Sequence, residues 1–461
     1  MTRQHVQRRI LRGVGANALS QGVGVLVQLI GLPVFLSVWG VVEYGDWLVL
    51  TSWVAFLALS DVGLATAAAT EMTLRVGADD RQAAVSVFQS TWVLLSLVGL
   101  VILGLVAVAV HATPVVDWIP LRHVSRTTAA SVMTILAAQV LVVQQTGLLH
   151  AGFRCDGNYA LGQSLSALAR LLEFVAYVLA ACLIGSMVAV ALAGLLARTA
   201  AGLIFWAVLH HRSPWLRLGV AHANRYQMRR LAPAAVAFLG MPLGHALGSQ
   251  GMIQVIAATL GSTAVVVYAA HRTIANVVTQ LINVINLAVW PEFSTAFGSG
   301  DKGLMRGLHR SACKWAFWIA VPTCLLLLLV APILLPIWSR GQVQLMPALL
   351  AVFLLIIVVR SIWRTSAVVP LATNRHQLLA TLLVAGNAAA CGAACYLGPA
   401  WGLVGVALAL AGVDLALLLY VTCNSLRAVQ DRPSQFLWAL LAPPIQLVGQ
   451  GRSKGMTEQI T

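Results

Sequence analysis

The stretch Glu71-Met-Thr-Leu-Arg-Val-Gly77-Ala-Asp-Asp80-Arg81 recurs, without a gap, as Glu292-Phe-Ser-Thr-Ala-Phe-Gly298-Ser-Gly-Asp301-Lys302. Each copy follows an apolar run and precedes another, so each predicts a short turn between two membrane helices. Upstream, the same offset of 221 residues pairs Gly40 with Gly261 and Trp47 with Tyr268. The chain reads as built twice, with two bundles in the same orientation facing one another. Parallel repeats of this kind predict a substrate site between the halves.

Composition sets the class. Hydrophobic residues make up 59% of the chain and charged residues 9%, against roughly 25% charged in a soluble protein. Apolar runs of about 20 residues, long enough to cross ~30 Å of hydrocarbon, follow one another closely. Twelve are legible, at 14–38, 46–68, 86–111, 127–150, 162–184, 187–209, 233–257, 264–289, 313–335, 346–369, 378–397 and 402–425. Backbone groups in lipid must bond within their own segment, so these runs are helices. The expectation is an all-α polytopic membrane protein of about twelve transmembrane helices in two pseudo-symmetric six-helix lobes.

Basic residues give the orientation. Of 29 Lys and Arg, 21 fall in the termini and in loops on one side, three (Arg122, Arg126, Arg340) on the other, and five within spans. The positive-inside bias then predicts both termini in the cytoplasm. The net charge of +15 is a topology and headgroup signal; with no nucleic-acid motif beside it, no nucleic-acid partner is expected. Arg3, Arg8, Arg9 and Arg12 resemble the basic start of a signal peptide, but the following run is too long and ends in no small-residue cleavage site. An uncleaved first helix is expected. The seven cysteines form no CxxC pair, and neither disulfides nor a metal site are expected from them.

The organisation follows: an N-terminal lobe at 13–210, a basic cytoplasmic linker at 211–232, a C-terminal lobe at 233–425 and a cytoplasmic tail at 426–461. The linker carries Arg212, Arg217, Arg225, Arg229 and Arg230 and should lie along headgroups. In the tail, Phe436–Val448 is apolar, too short to span and broken by Pro443-Pro444, which suits an interfacial segment.

Enzymatic readings find little footing. The outward loops are short, and the chain carries no Walker A sequence, HExxH or nucleophile–base arrangement. A glycosyltransferase needs acidic metal-binding residues facing outward; Glu43-Tyr-Gly-Asp46 is the nearby candidate, and Tyr44-Gly45 reads more simply as a turn between the first two spans. The chain reads as a carrier without a cofactor, coupled at most to a proton or sodium gradient.

Ionisable groups inside spans mark function because lipid makes them costly. Five arginines qualify: Arg170, Arg198, Arg272, Arg360 and Arg364. Three acids qualify: Asp61, Glu173 and Asp414. Guanidinium binds phosphate oxygens bidentately and stays charged, so surplus arginine predicts an anionic cargo such as a pyrophosphate. Each residue has a plainer reading as well. Arg170 and Glu173, one turn apart, either neutralise one another or face a cavity; Arg364 either snorkels or binds; Arg272 sits beside His271 at a depth that allows both. Asp61, in Ser60-Asp-Val-Gly63, either pairs with an arginine or carries the coupling ion, and Asp414 has the same two roles open. His245 reads as a packing histidine, and Glu71 and Glu292 as solvated or gate residues at matching turns.

At this point the chain resembles the bacterial polysaccharide repeat-unit flippases, the O-antigen and exopolysaccharide exporters. The resemblance rests on Asn17 running to Leu32-Pro-Val-Phe-Leu36, on Tyr44-Gly-Asp-Trp47 followed by Ser60-Asp-Val-Gly-Leu64, and on Arg272-Thr273 followed by Trp290-Pro-Glu-Phe-Ser294 and Gly300-Asp301. It covers roughly residues 13–425. It implies the fold of the multidrug/oligosaccharidyl-lipid/polysaccharide (MOP) exporters, two six-helix lobes in a V with alternating access, resembling drug exporters of the MATE type. It implies a cargo of undecaprenyl-pyrophosphate-linked oligosaccharide moved to the outer leaflet of the bacterial inner membrane, with Arg272 as a cargo contact. It also implies partnership with membrane lipids, a glycan polymerase and a chain-length regulator. Rival readings are a drug/cation antiporter of the same superfamily, a lipid II flippase, and a membrane-bound polymerase or glycosyltransferase.

Overall fold

The structure, a computed structural model, describes residues 3–61, 63–373 and 377–443, with the side chains of 3–11, 231–238, 287, 288 and 291 outside that description. Among these residues the chain is helical and carries no strand. The helices are α1 (Arg3–Leu57), α2 (Leu64–Gly77), α3 (Arg81–Ala112), α4 (Arg126–Cys155), α5 (Tyr159–Ile184), α6 (Met187–Arg212), α7 (Arg225–Ala246), α8 (Met252–Leu260), α9 (Ser262–Gly298), α10 (Lys302–Trp338), α11 (Pro347–Ser366), α12 (Val368–Ala372), α13 (Gln377–Ala428) and α14 (Pro433–Leu441). A π-helical turn at Leu247–Gly251 joins α7 to α8.

Among the described residues, nine helical stretches are long and apolar enough to cross a membrane. Two of them, Arg12–Gly77 and Gln377–Ala428, each hold two of the apolar runs, divided where Gly40 (φ 67°) and Gly402 (φ 61°) leave helical geometry. The run 233–257 falls on α7 and α8. This is a multi-pass membrane protein.

The first division corrects an expectation. The turn between the first two spans lies at Gly40 and not at Tyr44-Gly45, because the positive φ there is open to glycine at no steric cost. Tyr44 and Gly45 are already inside the next helical segment, where Gly45 serves packing: a Cβ on it would run into the Ser262 carbonyl. The second span is itself interrupted. Helix ends at Leu57, a 3₁₀ turn covers Ala58–Asp61, and Gly63 (φ 77°) starts α2. Asp61 therefore sits at a break, where its carboxylate accepts the Ala65 N–H (3.0 Å), one of the amides that a helix start leaves open.

The repeat is present in the backbone. Asp79 (φ 61°) and Gly300 (φ 73°) hold the same left-handed position after α2 and α9. The next amides, on Asp80 and Asp301, return to the carbonyls of Arg75 (2.9 Å) and Ala296 (3.1 Å), the closure of a Schellman motif. The same two aspartates then cap the following helices, accepting the N–H of Ala83 (3.0 Å) and Leu304 (2.9 Å). Gly40 and Gly261 match as well, at φ 67° and 90°.

Packing divides the chain into two compact units, one of Met1–Ala270, Leu335–Gln344 and Leu383–Val406, the other of His271–Leu334, Leu345–Leu382 and Ala407–Thr461. In the first, α1 runs along α5, α4 along α6 and α3 along α4. Its core gathers Met72, Phe88, Leu95, Leu148, Phe153 and Phe205, the last two in edge contact at 6.0 Å. Phe35 stacks on Trp39 and Tyr44, Trp47 lies tilted against Trp39, and the Trp39 indole donates to the Gly185 carbonyl (2.5 Å). Gly244 and Gly248 bring α7 and the π turn close onto Leu383 and Asn387, a small-residue seam of the kind that lets membrane helices approach.

In the second unit, Phe293, Met305, Val368 and Val429 form one cluster and Cys313, Leu426, Phe436 and Leu440 another. The latter seats α14, whose Leu440 carbonyl takes the Trp318 indole N–H (3.1 Å). Arg310 adds a forked pair to Asp431 (Nε to Oδ2, 2.7 Å) and a bond to Gln435. Leu437, Trp438 and Leu441 stay exposed on the outer side of α14. Part of the tail expected to lie in the interface, from 444 on, is outside the described residues.

Candidate functional site

The first unit holds a cavity of about 410 Å³ lined by Thr51, Asp61, Gln139, Gln144 and Tyr177 among apolar residues of α1 and α4. The broken second span delivers Asp61 to it, since a continuous helix would have no open amides for that carboxylate to cap. Gln144 fixes the break from across the cavity, donating to Ser60 Oγ (2.8 Å). Gln139 donates to Glu173 and, at 2.8 Å, to the Tyr177 hydroxyl. Behind this wall, Glu173 pairs with Arg198 of α6 (2.6 Å). The ion pair thus runs between helices and not along α5: Arg198, rather than Arg170, supplies the cation. Arg170 instead donates to Ser20 Oγ on α1 and forms no ion pair among the described residues.

In the second unit, Arg360 grips Asp414 with both arms of its fork, Nε to Oδ1 at 3.0 Å and an Nη to Oδ2 at 2.6 Å. The Trp363 indole donates to the same carboxylate (2.8 Å), and Asp414 is 3% exposed. The carboxylate is thus buried and satisfied, while the Arg360 side chain keeps 29% of its surface exposed. Arg364 lies one turn beyond Arg360 and has no ion-pair partner among the described residues. Arg272 is half-buried on α9. Its neighbour His271 is fully buried and accepts the Met346 N–H (3.0 Å), tying α9 to the start of α11.

Two further acids, Asp46 and Glu71, are accounted for structurally. Asp46 is fully buried and accepts the backbone N–H groups of Arg122 (3.1 Å) and His123 (2.9 Å). A carboxylate used this way pins a loop and is not open to a sugar donor. Glu71 takes Arg75 (2.9 Å) and Arg230 (3.4 Å) at the end of α2. Among the described residues no group of three His, Cys, Asp or Glu side chains could hold a metal ion.

Sequence reasoning missed Gln139, Gln144, Tyr177 and Trp363, because it searched spans for charge. A signal was present: Gln139, Gln144 and Gln145 all interrupt one apolar run, and an amide in lipid needs a partner almost as much as a charge does.

The model of the family described as polysaccharide biosynthesis protein matches residues 10–297. The chain belongs to that family. Among curated proteins none matches it in sequence. Among solved structures, it is similar to an inward-facing multidrug resistance MATE family transporter of the MOP superfamily, with a TM-score of 0.73 at 15% identity over 90% of this chain and 94% of that one. An outward-facing MATE family transporter of the same superfamily matches with a TM-score of 0.66 at 16% identity over 92% and 95%. A third is a MOP superfamily transporter from Pyrococcus furiosus for which reverse polarity of the binding pocket suggests a different function, at TM-score 0.64 and 15% identity over 92% and 95%. These likenesses give this polysaccharide biosynthesis protein the MOP fold.

Proposed function

We propose that this protein is a flippase that carries undecaprenyl-pyrophosphate-linked oligosaccharide repeat units from the cytoplasmic to the periplasmic leaflet of the bacterial inner membrane. The observation that carries the reading is the coincidence, in one chain, of a polysaccharide-biosynthesis family with the fold of MOP transporters. A polysaccharide pathway that passes through a membrane needs a step in which a lipid-linked, charged intermediate crosses it. Both termini lie in the cytoplasm, by the distribution of basic residues.

The charges suit that cargo. Glu173 and Asp414 neutralise Arg198 and Arg360, which leaves Arg364 and Arg170 as the intramembrane guanidiniums free of ion pairs among the described residues. Arg364 and Arg272 hold pyrophosphate oxygens, Arg170 assists, and Arg198 and Arg360 orient the walls. Asp61, on an aqueous-sized cavity, takes up the proton or sodium ion that resets alternating access. A glycan polymerase and a chain-length regulator are the partners downstream.

One observation favours a second reading, a drug/cation antiporter: an acid lines the cavity of the first unit, and several similar structures are MATE transporters. The excess of arginine over acid in the spans favours the anionic cargo. The test is a strain lacking the protein, with glycosidase accessibility of polyprenyl-pyrophosphate glycans read in oriented vesicles. Complete repeat units trapped on the cytoplasmic face are expected. Truncated or absent units would make the protein an enzyme of assembly, and an unchanged pool would favour the antiporter.

A further inference from the structure

A second cavity lies outside the machinery described so far. It measures about 590 Å³ and is formed where α3 begins and the segment after α6 folds back, lined by Arg81, Gln89, Trp215, Arg217, Leu218 and His222. The segment is held in a defined shape by one buried side chain. Gln89, 3% exposed, donates to the Arg217 carbonyl (3.0 Å) and accepts the His222 N–H (2.7 Å), so a single amide spans the loop. Ser86 bonds the His222 carbonyl (2.9 Å), and the Asn224 N–H bonds Ser90 Oγ (2.8 Å).

Two nearby acids, Asp156 and Asp80, are already engaged. Asp156 takes Ser213 Oγ (2.6 Å), the Trp215 indole (3.2 Å) and Asn158 (3.0 Å). Asp80 caps α3. Trp215, fixed by Asp156, offers its ring to Arg81, whose guanidinium carbon sits 5.5 Å from the ring centroid. Arg217 donates through Nε to the Pro214 carbonyl (3.1 Å), which orients its terminal nitrogens. Neither arginine has an ion-pair partner among the described residues. The result is two oriented guanidiniums beside an apolar wall of Trp215 and Leu218, at the arginine-rich end of membrane-spanning helices.

We propose that this pocket binds the phosphate of an anionic phospholipid headgroup, Arg81 and Arg217 taking the phosphate oxygens and Trp215 with Leu218 the first part of the acyl chains. Guanidinium forks match phosphate oxygens, and basic pockets at the ends of spans recruit anionic lipids. The lipid source is favoured over a free phosphate because half of the wall is apolar. It is favoured over mere surface attraction because the loop is clamped before any ligand arrives.

The test uses the full chain purified in detergent, titrated with phosphatidylglycerol, phosphatidylcholine or inorganic phosphate and read by native mass spectrometry and thermal unfolding. Wild type should retain phosphatidylglycerol selectively, and R81Q/R217Q should lower its affinity at least about tenfold. R81K/R217K should recover part of it. R154Q/R212Q, which removes two arginines from the same end but not from the pocket, should change it less than about threefold. Equal losses in the two glutamine variants would overturn the proposal in favour of diffuse charge. Equal retention by wild type and R81Q/R217Q, or competition by millimolar inorganic phosphate, would overturn it as well.

Discussion

The turns at 78–80 and 299–301 share a backbone but little else. Both close a Schellman motif and cap the next helix with an aspartate, yet one fills the left-handed position with Asp79 and the other with Gly300. The charges in the two units differ more deeply. In the first, Glu173 and Arg198 stand behind a wall of Gln139 and Tyr177 facing a cavity. In the second, Trp363 closes off the Asp414 carboxylate while Arg360 stays partly exposed. Turn geometry is demanded by chain reversal and persists through duplication. Charge placement is free to diverge, so the one is a record of ancestry and the other of function.

The largest effect should come from breaking the pair that is largely buried on both sides. Glu173→Ala takes the ion-pair partner from Arg198, whose side chain is 13% exposed, and should destabilise the protein by about 3–5 kcal/mol. Asp414→Ala, which leaves an Arg360 side chain that is 29% exposed, should cost roughly half as much. Thermal unfolding in detergent reads both, and equal losses would erase the distinction between the units. Asp61→Asn sharpens it from the other side. The amide oxygen can still accept the Ala65 N–H, so folding should survive within about 1 kcal/mol, while ion-driven export at normal protein levels should fail.

The turns should respond unequally and more mildly. Gly300→Ala forces a Cβ into a left-handed position and should cost about 1 kcal/mol, whereas Asp79→Gly removes that strain and should be near neutral. The smallest effect concerns pH. Burial pushes the Asp431 carboxyl up, but the Arg310 hydrogen bond and charge outweigh it and hold it below its ordinary 3.8. The folded value is thus the lower one, so the stabilisation is fully present above the unfolded value and is lost as pH falls below about 4. Asp431→Asn should flatten the acid limb by lowering the neutral unfolding temperature toward the acid value, which it should leave unchanged.

The fold was legible because each of its signals is local. Apolar length gives the spans, and the paired turns lie in eleven contiguous residues that repeat. The break at Asp61 was half-legible: Gly63 marked it, but the uninterrupted apolar run on either side argued for one helix. Pairings were not legible, since Arg198 reaches Glu173 from another helix and Arg170 lies nearer to it in sequence. The same holds for Arg360, whose partner Asp414 is 54 residues away. Partner choice depends on helix rotation, which an apolar helix facing lipid on one side and protein on the other does not announce.

The central claim is that this protein moves a lipid-linked anionic glycan across a membrane. Its most direct test is the purified protein in liposomes loaded on one leaflet with a polyprenyl-pyrophosphate oligosaccharide, with glycosidase access measured under an imposed proton or sodium gradient. Translocation that needs the gradient, drops at least about tenfold in Arg364→Ala and is partly kept in Arg364→Lys is the predicted result. Gradient-driven uptake of a cationic drug with no movement of the glycan would contradict the account.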